Sequence, residues 1–278
     1  MKFSVIIVSW NTADITLKCL KTTHRFFPSA EIIIVDNAST DDTVSKIKKI
    51  IPLLVKGGDR GGFNCKLIIN GSNLGYAKAC NLGAAAASGD FLLFLNSDIE
   101  FIDASLTQAI AYASQNPDVA IIGLKMLNPD RTVQPSVFPP QTALNAFRQY
   151  YLQQSTYEKY APSGSRPTDV FAVSGGALLV SCSSFHQLGG WNESYPFYFE
   201  DLDLCRQAHH LDRRVVYFPQ SSVIHRHGAS GRQLADSQNQ WRRLIPGSQI
   251  YHGRLGHYII NLIIWSGQKF QKFFTFSR

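Results

Sequence analysis

The chain contains no C-x-x-C pair, and its five cysteines, Cys19, Cys65, Cys80, Cys182 and Cys205, are scattered. That odd set argues against a disulfide framework or a structural zinc site and fits a reducing compartment. No apolar run reaches the ~20 residues that a membrane span needs. The longest near the end, Tyr258 to Trp265, is broken by Asn261. The start, MKFSVIIVSWN, carries one lysine and a short apolar run, and reads as a first buried strand instead of a signal peptide. That strand is not followed by G-x-G-x-x-G, the turn a dinucleotide-dependent oxidoreductase needs. A Gly-rich basic phosphate loop, as expected of a sugar-phosphate nucleotidylyltransferase, is also missing. Acidic residues stop at Asp236, whereas Arg242, Arg243, Arg254, Lys269, Lys272 and Arg278 follow it. The net charge of +7 is thus concentrated in the tail. This pattern suits an anionic surface and not a groove-wide nucleic-acid footprint.

What is present is a well-provisioned core. In 278 residues, 45% are apolar and 17% charged, enough for one large domain or two packed halves. Apolar β-rich runs at Phe3–Ser9, Glu31–Val35, Lys66–Ile69 and Phe91–Leu95 alternate with helical stretches at Thr12–Phe27, Asp41–Ile51 and Leu74–Ala87. Ser39 or Thr40 is placed to cap the second helix. Alternation of this kind predicts a mainly parallel sheet covered on both faces. Further on, helices are expected at 103–116, 183–188 and 200–211, and strands at 119–124 and 214–218. A strand pair or strand–turn is expected at 170–181 around Gly175-Gly176. Gly57–Gly62 reads as a surface loop.

Polar clusters fall where strands end, which is where open α/β sheets place their ligands. Asp98 closes the apolar run FLLFL, and with Asn96 and Ser97 it offers the hard oxygens that Mg²⁺ or Mn²⁺ prefers. The same tetrapeptide is equally an ordinary turn or cap. Asp36 ends the second strand, either to accept from a base or ribose or to close an Asx-turn. Phe197-Tyr198-Phe199-Glu200-Asp201-Leu202-Asp203 sets three carboxylates behind an aromatic run at a helix start. Helix-dipole capping accounts for acids there; so does a sugar site, with aromatic faces to stack on a ring and a general base for a hydroxyl. Glu200 and Asp203 would share a face and Asp201 turn away, leaving one carboxylate to pair with Arg206. His225 and His227 flank Arg226 and fall on one side of an extended chain. They are structural unless a carboxylate such as Asp98 lies near.

Taken in order, SVIIVSWN, VDNAST, NLGYAKACNLGA, FLLFLNSD, LNPDRTVQ, SGGALLVS, GGWNESYPFYFEDLDLCRQ and VIHRHGAS closely resemble the family 2 inverting glycosyltransferases, above all their bacterial rhamnosyltransferase-like branch. The resemblance runs from about residue 3 to residue 231. It implies a GT-A fold: an α/β, mainly parallel mixed sheet flanked by helices, with a nucleotide-sugar-binding half (1–100) and an acceptor-binding, catalytic half (101–230). A basic amphipathic tail (231–278) follows. The resemblance further implies that Ser9, Asn11, Asp36 and Ser39 line the base and ribose pocket, and that Asn73, Gly75, Lys78, Asn81 and Asn96 lie by the nucleotide. Asp98 and His225 would hold Mn²⁺ or Mg²⁺. Asp201 would be the catalytic base, with Glu200 orienting the acceptor and Trp191 and Gly176 on the acceptor side. Two departures stand out. Asn96 replaces the first acid of the family's D-x-D, and Arg131 replaces the glycine of its N-P-D-G-T block.

The expected function is transfer of a sugar, rhamnose first, from a dTDP- or UDP-linked donor to a saccharide acceptor, with a lipid-linked acceptor among the options. A non-catalytic nucleotide-sugar-binding or scaffold member of the same fold is the alternative. The retained carboxylates Asp36, Asp98 and Asp201 weigh against it. In the tail, Leu255, Tyr258, Ile259, Leu262 and Ile263 recur at helical spacing. The tail is therefore expected either to lie on the inner face of the cell membrane or to pack on the core or in a homodimer.

Overall fold

A computed structural model of the chain describes residues 2–56, 64–226 and 237–275. The first stretch alternates as expected: β1 (Phe3–Ser9), α1 (Ala13–Phe26), β2 (Glu31–Asp36), α2 (Thr43–Lys56), β3 (Asn64–Ile69), α3 (Tyr76–Ala85) and β4 (Phe91–Asn96). Then come β5 (Ile99–Phe101), α4 (Leu106–Gln115), β6 (Val119–Leu127), β7 (Val133–Gln134), β8 (Val137–Phe138) and α5 (Ala143–Leu152). The remainder is β9 (Thr168–Asp169), β10 (Ala172–Val173), β11 (Ala177–Ser181), α6 (Cys182–Gln187), α7 (Glu200–His210), β12 (Arg214–His225) and α8 (Ser237–Thr275). The Gly57–Gly62 loop and His227 lie outside the described residues.

The main sheet runs β3-β2-β1-β4-β11-β6-β12-β5. β3, β2, β1 and β4 are parallel, β11 is antiparallel to both β4 and β6, and β12 is parallel to β6 but antiparallel to β5. Both faces are covered at the centre of the sheet, so β2, β4 and most of β1 and β6 are buried apolar runs. Val5, Ile7, Ile32, Ile34, Leu93 and Leu95 pack in one core with Cys19, Leu20 and Ile47 from α1 and α2. Ile6, Ile33, Val35, Leu92 and Phe94 pack in the other with Ala77 and Cys80 of α3 and Leu202 and Cys205 of α7. Alternate residues of one strand thus feed opposite cores.

Several boundaries differ from the sequence expectation, each for a local reason. α2 starts at Thr43, because the Asp41 carboxylate accepts from Thr43 N at 3.0 Å. Ser39 and Thr40 are not its caps; both turn to Asn11. α4 starts at Leu106 because Asp103 Oδ1 takes Ser105 N at 2.8 Å, holding the preceding residues in a turn. The two strands around Gly175-Gly176 do not pair with one another: β10 joins β8, and β11 enters the main sheet. α8 is broken at Gly253, whose φ of 71° lies in the left-handed region.

Candidate active site

Parallel pairing brings the loop ends to one edge. The register sets Ser9 beside Asp36 and Val8 beside Asn96, so the chain leaves β1, β2 and β4 at the same level. Asp36 is fully buried there. It accepts from Ser9 Oγ at 3.2 Å, Ser39 Oγ at 2.6 Å and Ser39 N, three residues on, at 2.9 Å, which pins the strand end to the following loop. Asn11, at φ 52°, takes Thr40 N on its side-chain oxygen at 2.7 Å, while its own N–H reaches Ser39 Oγ at 2.8 Å. The four residues form one interlocked wall.

The next loop is riveted by Asn37, which sequence reasoning passed over inside VDNAST. Its amide donates to Asn73 Oδ1 and Gly75 O, each at 3.0 Å, and accepts from Asn70 Nδ2 at 2.9 Å and Leu74 N at 3.2 Å. Asn73 also receives Gly75 N at 3.0 Å. Gly75 precedes α3 at φ 82°, and a Cβ there would sit 3.3 Å from Pro196 O, so glycine suits both the conformation and the close approach. Lys78 is exposed on the first turn of α3. Asn81 does not face the nucleotide region. It bonds Trp191 O, Glu193 Oε1 and Trp191 N at 2.8–3.0 Å and clamps α3 to the loop before α7.

Asp98 lies just past β4, only 1% exposed. The antiparallel register of β12 on β5 pairs His225 with Ile99 and so delivers the imidazole to Asp98: Nε2 stands 3.4 Å from Oδ1. Arg226 N donates to Asp98 O at 3.0 Å. On its other side His225 Nδ1 donates to Gln134 Oε1 at 2.6 Å, and Gln134 Nε2 donates to Asn128 Oδ1 at 2.9 Å. The second bond fixes which way the Gln134 amide points, so its oxygen faces Nδ1 and the ring turns Nε2 to Asp98. A carboxylate and an oriented imidazole, both buried at a strand end, suit a hard divalent cation that completes its shell with substrate oxygens. Among the described residues there is no cluster of three or more such protein ligands.

The hairpin that carries Gln134 explains the Arg131 departure. Arg131 N bonds Asn128 O and Asn128 N bonds Thr132 O, each at 2.8 Å, and Arg131 sits at φ 69°. That is a position for glycine. Arg131→Gly is therefore expected to stabilise the fold by about 1 kcal/mol, a rise of roughly 2–4 °C in Tm, measurable by calorimetry. An unchanged or lower Tm would refute the strain.

Asp201 reaches the same edge from the second half of the chain. It stands on the first turn of α7 and accepts Gly175 N at 3.1 Å and Leu202 N at 2.9 Å. The neighbouring Gly176 O accepts Asn96 N at 3.0 Å, and a Cβ on Gly176 would lie 3.2 Å from the Asn96 amide nitrogen. Gly175-Gly176 thus joins the end of β4 to the start of α7. Tyr76 Oη donates to Gly175 O at 2.8 Å and ties α3 to the same joint. Neither Tyr76 nor Gln134 carried a readable signal, since one hydroxyl or amide in a helix or hairpin is unremarkable until the fold aims it.

The three acids divide their work. Asp203 is buried and structural, held by Tyr195 Oη, Asn192 Nδ2 and an ion pair with Arg206. Glu200 and Asp201 are half-buried neighbours. Burial, then the Asp201 charge, pushes Glu200 up to about 8. Burial also raises Asp201, opposed by the Lys159 charge and by the Gly175 and Leu202 N–H groups. Glu200, raised further by the Asp201 charge, holds its proton the more tightly of the two. Glu200 Oε2 is buried without a hydrogen-bond partner among the described residues. Trp191 is not a platform. It is 1% exposed and packs edge-on against Tyr76 and Phe94 beneath Gly175. The exposed aromatics at the mouth are Phe197 and Tyr198.

The parallel sheet, the strand-end carboxylate and the second-half acid on one edge define the GT-A class of α/β proteins. The family model described as Glycosyl transferase family 2 matches residues 4–189, and that described as Glycosyl transferase family group 2 matches residues 102–277. The chain belongs to glycosyl transferase family 2. It is similar to the N-acetylglucosaminyl-diphospho-decaprenol L-rhamnosyltransferase of Mycobacterium tuberculosis, 30% identical over 70% of this chain and 66% of that one. It is also similar to the O-antigen biosynthesis protein RfbC of Myxococcus xanthus, 28% identical over 83% of this chain but 18% of the relative. The match thus spans just under two thirds of the first relative and a smaller part of the second. Among solved structures, GalNAc-T7 with UDP, GalNAc and Mn²⁺ shares the fold, with a TM-score of 0.62 at 17% identity over 81% of this chain and 44% of that one.

Proposed function

We propose that the chain is an inverting glycosyltransferase that moves a sugar, rhamnose as the first candidate, from a dTDP- or UDP-linked donor to a saccharide acceptor in cell-surface polysaccharide or O-antigen assembly. The observation that carries this reading is the joint at Gly175-Gly176, which brings the end of β4, with Asp98 and His225 beside it, and the base Asp201 to one edge. The names of the two bacterial relatives support the sugar and the pathway class.

In this reading the wall of Ser9, Asn11, Asp36 and Ser39, with Asn73, Gly75 and Lys78, receives the nucleotide. Asp98 and His225 would hold Mn²⁺ or Mg²⁺, as the Mn²⁺ in the GalNAc-T7 structure suggests for this fold. When bound, the cation supplies electrostatic stabilisation of the diphosphate leaving group. The protein's own part is the proton. Asp201, ionised, takes it from the acceptor hydroxyl as that oxygen attacks the anomeric carbon opposite the phosphate. The old bond to the β-phosphate oxygen breaks with its electron pair on the nucleoside diphosphate, so the anomeric centre inverts. Glu200, protonated, offers an O–H to orient the acceptor. The basic tail holds the chain at the inner face of the membrane, where a lipid-linked acceptor presents its saccharide.

The test is thermal-shift binding of nucleoside diphosphates and nucleotide sugars, with and without Mn²⁺. A saturating true ligand is expected to raise Tm by about 5 °C or more, largest for one donor. Asp98→Ala is expected to remove the metal-dependent part alone. No shift with any nucleotide would reject the reading.

A further inference from the structure

After Gly253, α8 carries more apolar residues than its packed side uses. That side packs on α5: Tyr151 Oη bonds Ser266 Oγ at 2.7 Å, Gln271 Nε2 bonds Tyr150 O at 3.0 Å, and Gly267 sits against Tyr150. The other side is bare. Leu255 is 74% exposed, Tyr258 63% and Leu262 62%, with Ile259, Trp265 and Phe270 also exposed. At 100° per residue these positions and Lys269 span one arc of about 140°, which also holds Ser266, the residue bonded to Tyr151 of α5. Arg254, Asn261 and Gln268 form a polar stripe along one margin. On the other margin the patch continues across α5, where Phe147 stacks on Tyr151 (centroids 4.9 Å) and Tyr151 meets Phe270 (5.4 Å), beside exposed Leu144. A continuous apolar surface on two helices is larger than isolated exposed side chains and marks a contact face.

The charges say what covers it. α5 contains no acidic residue, and nothing after Asp236 does either, whereas Arg148, Arg254 and Lys269 are exposed on these helices. Lys269 Nζ lies 3.8 Å from the Trp265 ring centre, a cation beside an interfacial aromatic. A second copy of the chain would oppose these cations to their own equivalents, whereas lipid phosphates complement them. No helix among the described residues is long and apolar enough to cross a membrane. We infer that α5 and the last part of α8 together form a docking face for an anionic phospholipid surface. This deepens the membrane-side placement in the proposed function and rests on that reading only for which acceptor it serves.

The experiment is flotation of the full chain with vesicles of phosphatidylcholine alone and with phosphatidylglycerol added. The protein is expected to float with the anionic vesicles, and less as salt is raised. The exposed-site variants Leu255→Glu/Leu262→Glu and Phe147→Ser are expected to lower partition by about tenfold or more at unchanged Tm. Donor hydrolysis in solution is run on the same samples. Hydrolysis without flotation, or flotation equal in the variants, overturns the docking face and leaves the transferase reading standing; a concentration-dependent dimer abolished by the variants, with no vesicle binding, overturns it in favour of a second copy. Flotation without hydrolysis keeps the face and sinks the transferase reading.

Discussion

Asp201→Asn is expected to fold normally and to lose roughly a thousandfold of its transfer rate, the scale of a removed general base. The substitution keeps the shape and one oxygen, which can still accept Gly175 N and hold the joint to β4, while Leu202 N, bonded to the other carboxylate oxygen, loses its side-chain acceptor. What goes is the ability to take a proton. Burial raises the Asp201 pKa in the folded state, so the native form binds a proton more tightly than the unfolded chain. Its contribution to stability is complete at low pH and declines as pH rises through the raised value. A neutral Asn escapes that decline, so the Tm difference between variant and wild type should move in the variant's favour as pH rises. In the wild type, kcat/KM should fall on acidification through a pKa above the usual carboxylate range, as the base is protonated. Turnover within about threefold of wild type in the variant, or an acid limb at an ordinary carboxylate pKa, would remove Asp201 from the role of base.

Much of this was legible because both faces of the sheet are covered. Runs such as Glu31–Val35 and Phe91–Leu95 can only be buried strands when helical segments alternate with them, and their polar ends then fall on one edge. The alternation cannot show where β11 enters. That strand follows a Gly-Gly turn with no special composition, yet its antiparallel seat between β4 and β6 is what brings Asp201 to Asn96. Side-chain direction was the other blind spot. Trp191 and Asn81 stand in the right blocks of sequence, but a Trp whose ring packs under Gly175 and an Asn with three loop partners serve the frame and not the substrate. Asp36 shows the same economy: its carboxylate is taken up by Ser9 and Ser39, the backbone bond reaching Ser39 N three residues on and not the i+2 N–H of an Asx-turn. Arg131 became interpretable only through its φ, which no residue pattern states.

The segment before α7 leads to the second large effect, a loss of kcat in Gly247→Ala. Tyr198 and Phe199 are consecutive non-glycine residues at φ 62° and 70°, each in a region that costs an L-residue about 1–2 kcal/mol. They stand directly before Glu200 and Asp201, so their conformation sets how α7 presents the base. Such strain persists only where surrounding contacts over-determine it, and α8 supplies them. The Phe199 ring meets Tyr251 and His252 at 5.5 and 5.6 Å, and Arg206 bridges from Asp203 to Tyr251 O at 3.0 Å, its guanidinium 4.1 Å over the Tyr251 ring. At the centre of that contact Gly247 has no side chain to spare: a Cβ would lie 2.7 Å from Tyr198 O and 2.9 Å from Phe197 O. Both are backbone atoms, so the methyl of Gly247→Ala must push the strained segment or the helix away. Gly247 is thus a positioning residue for Asp201. A shift of about 1 Å in a reacting group can cost roughly a hundredfold, and a kcat loss of that order is expected while the nucleotide-induced thermal shift is retained, because the proposed donor wall is built from β1, β2 and α3. Arg206→Ala, which cuts the bridge to Tyr251 O, should reproduce the split between kcat and donor binding. A destabilised variant with unchanged kcat would reduce Gly247 to simple packing. Parallel loss of donor binding and kcat would place the damage in the fold as a whole, and either result would end the case for α8 as the brace of the catalytic turn.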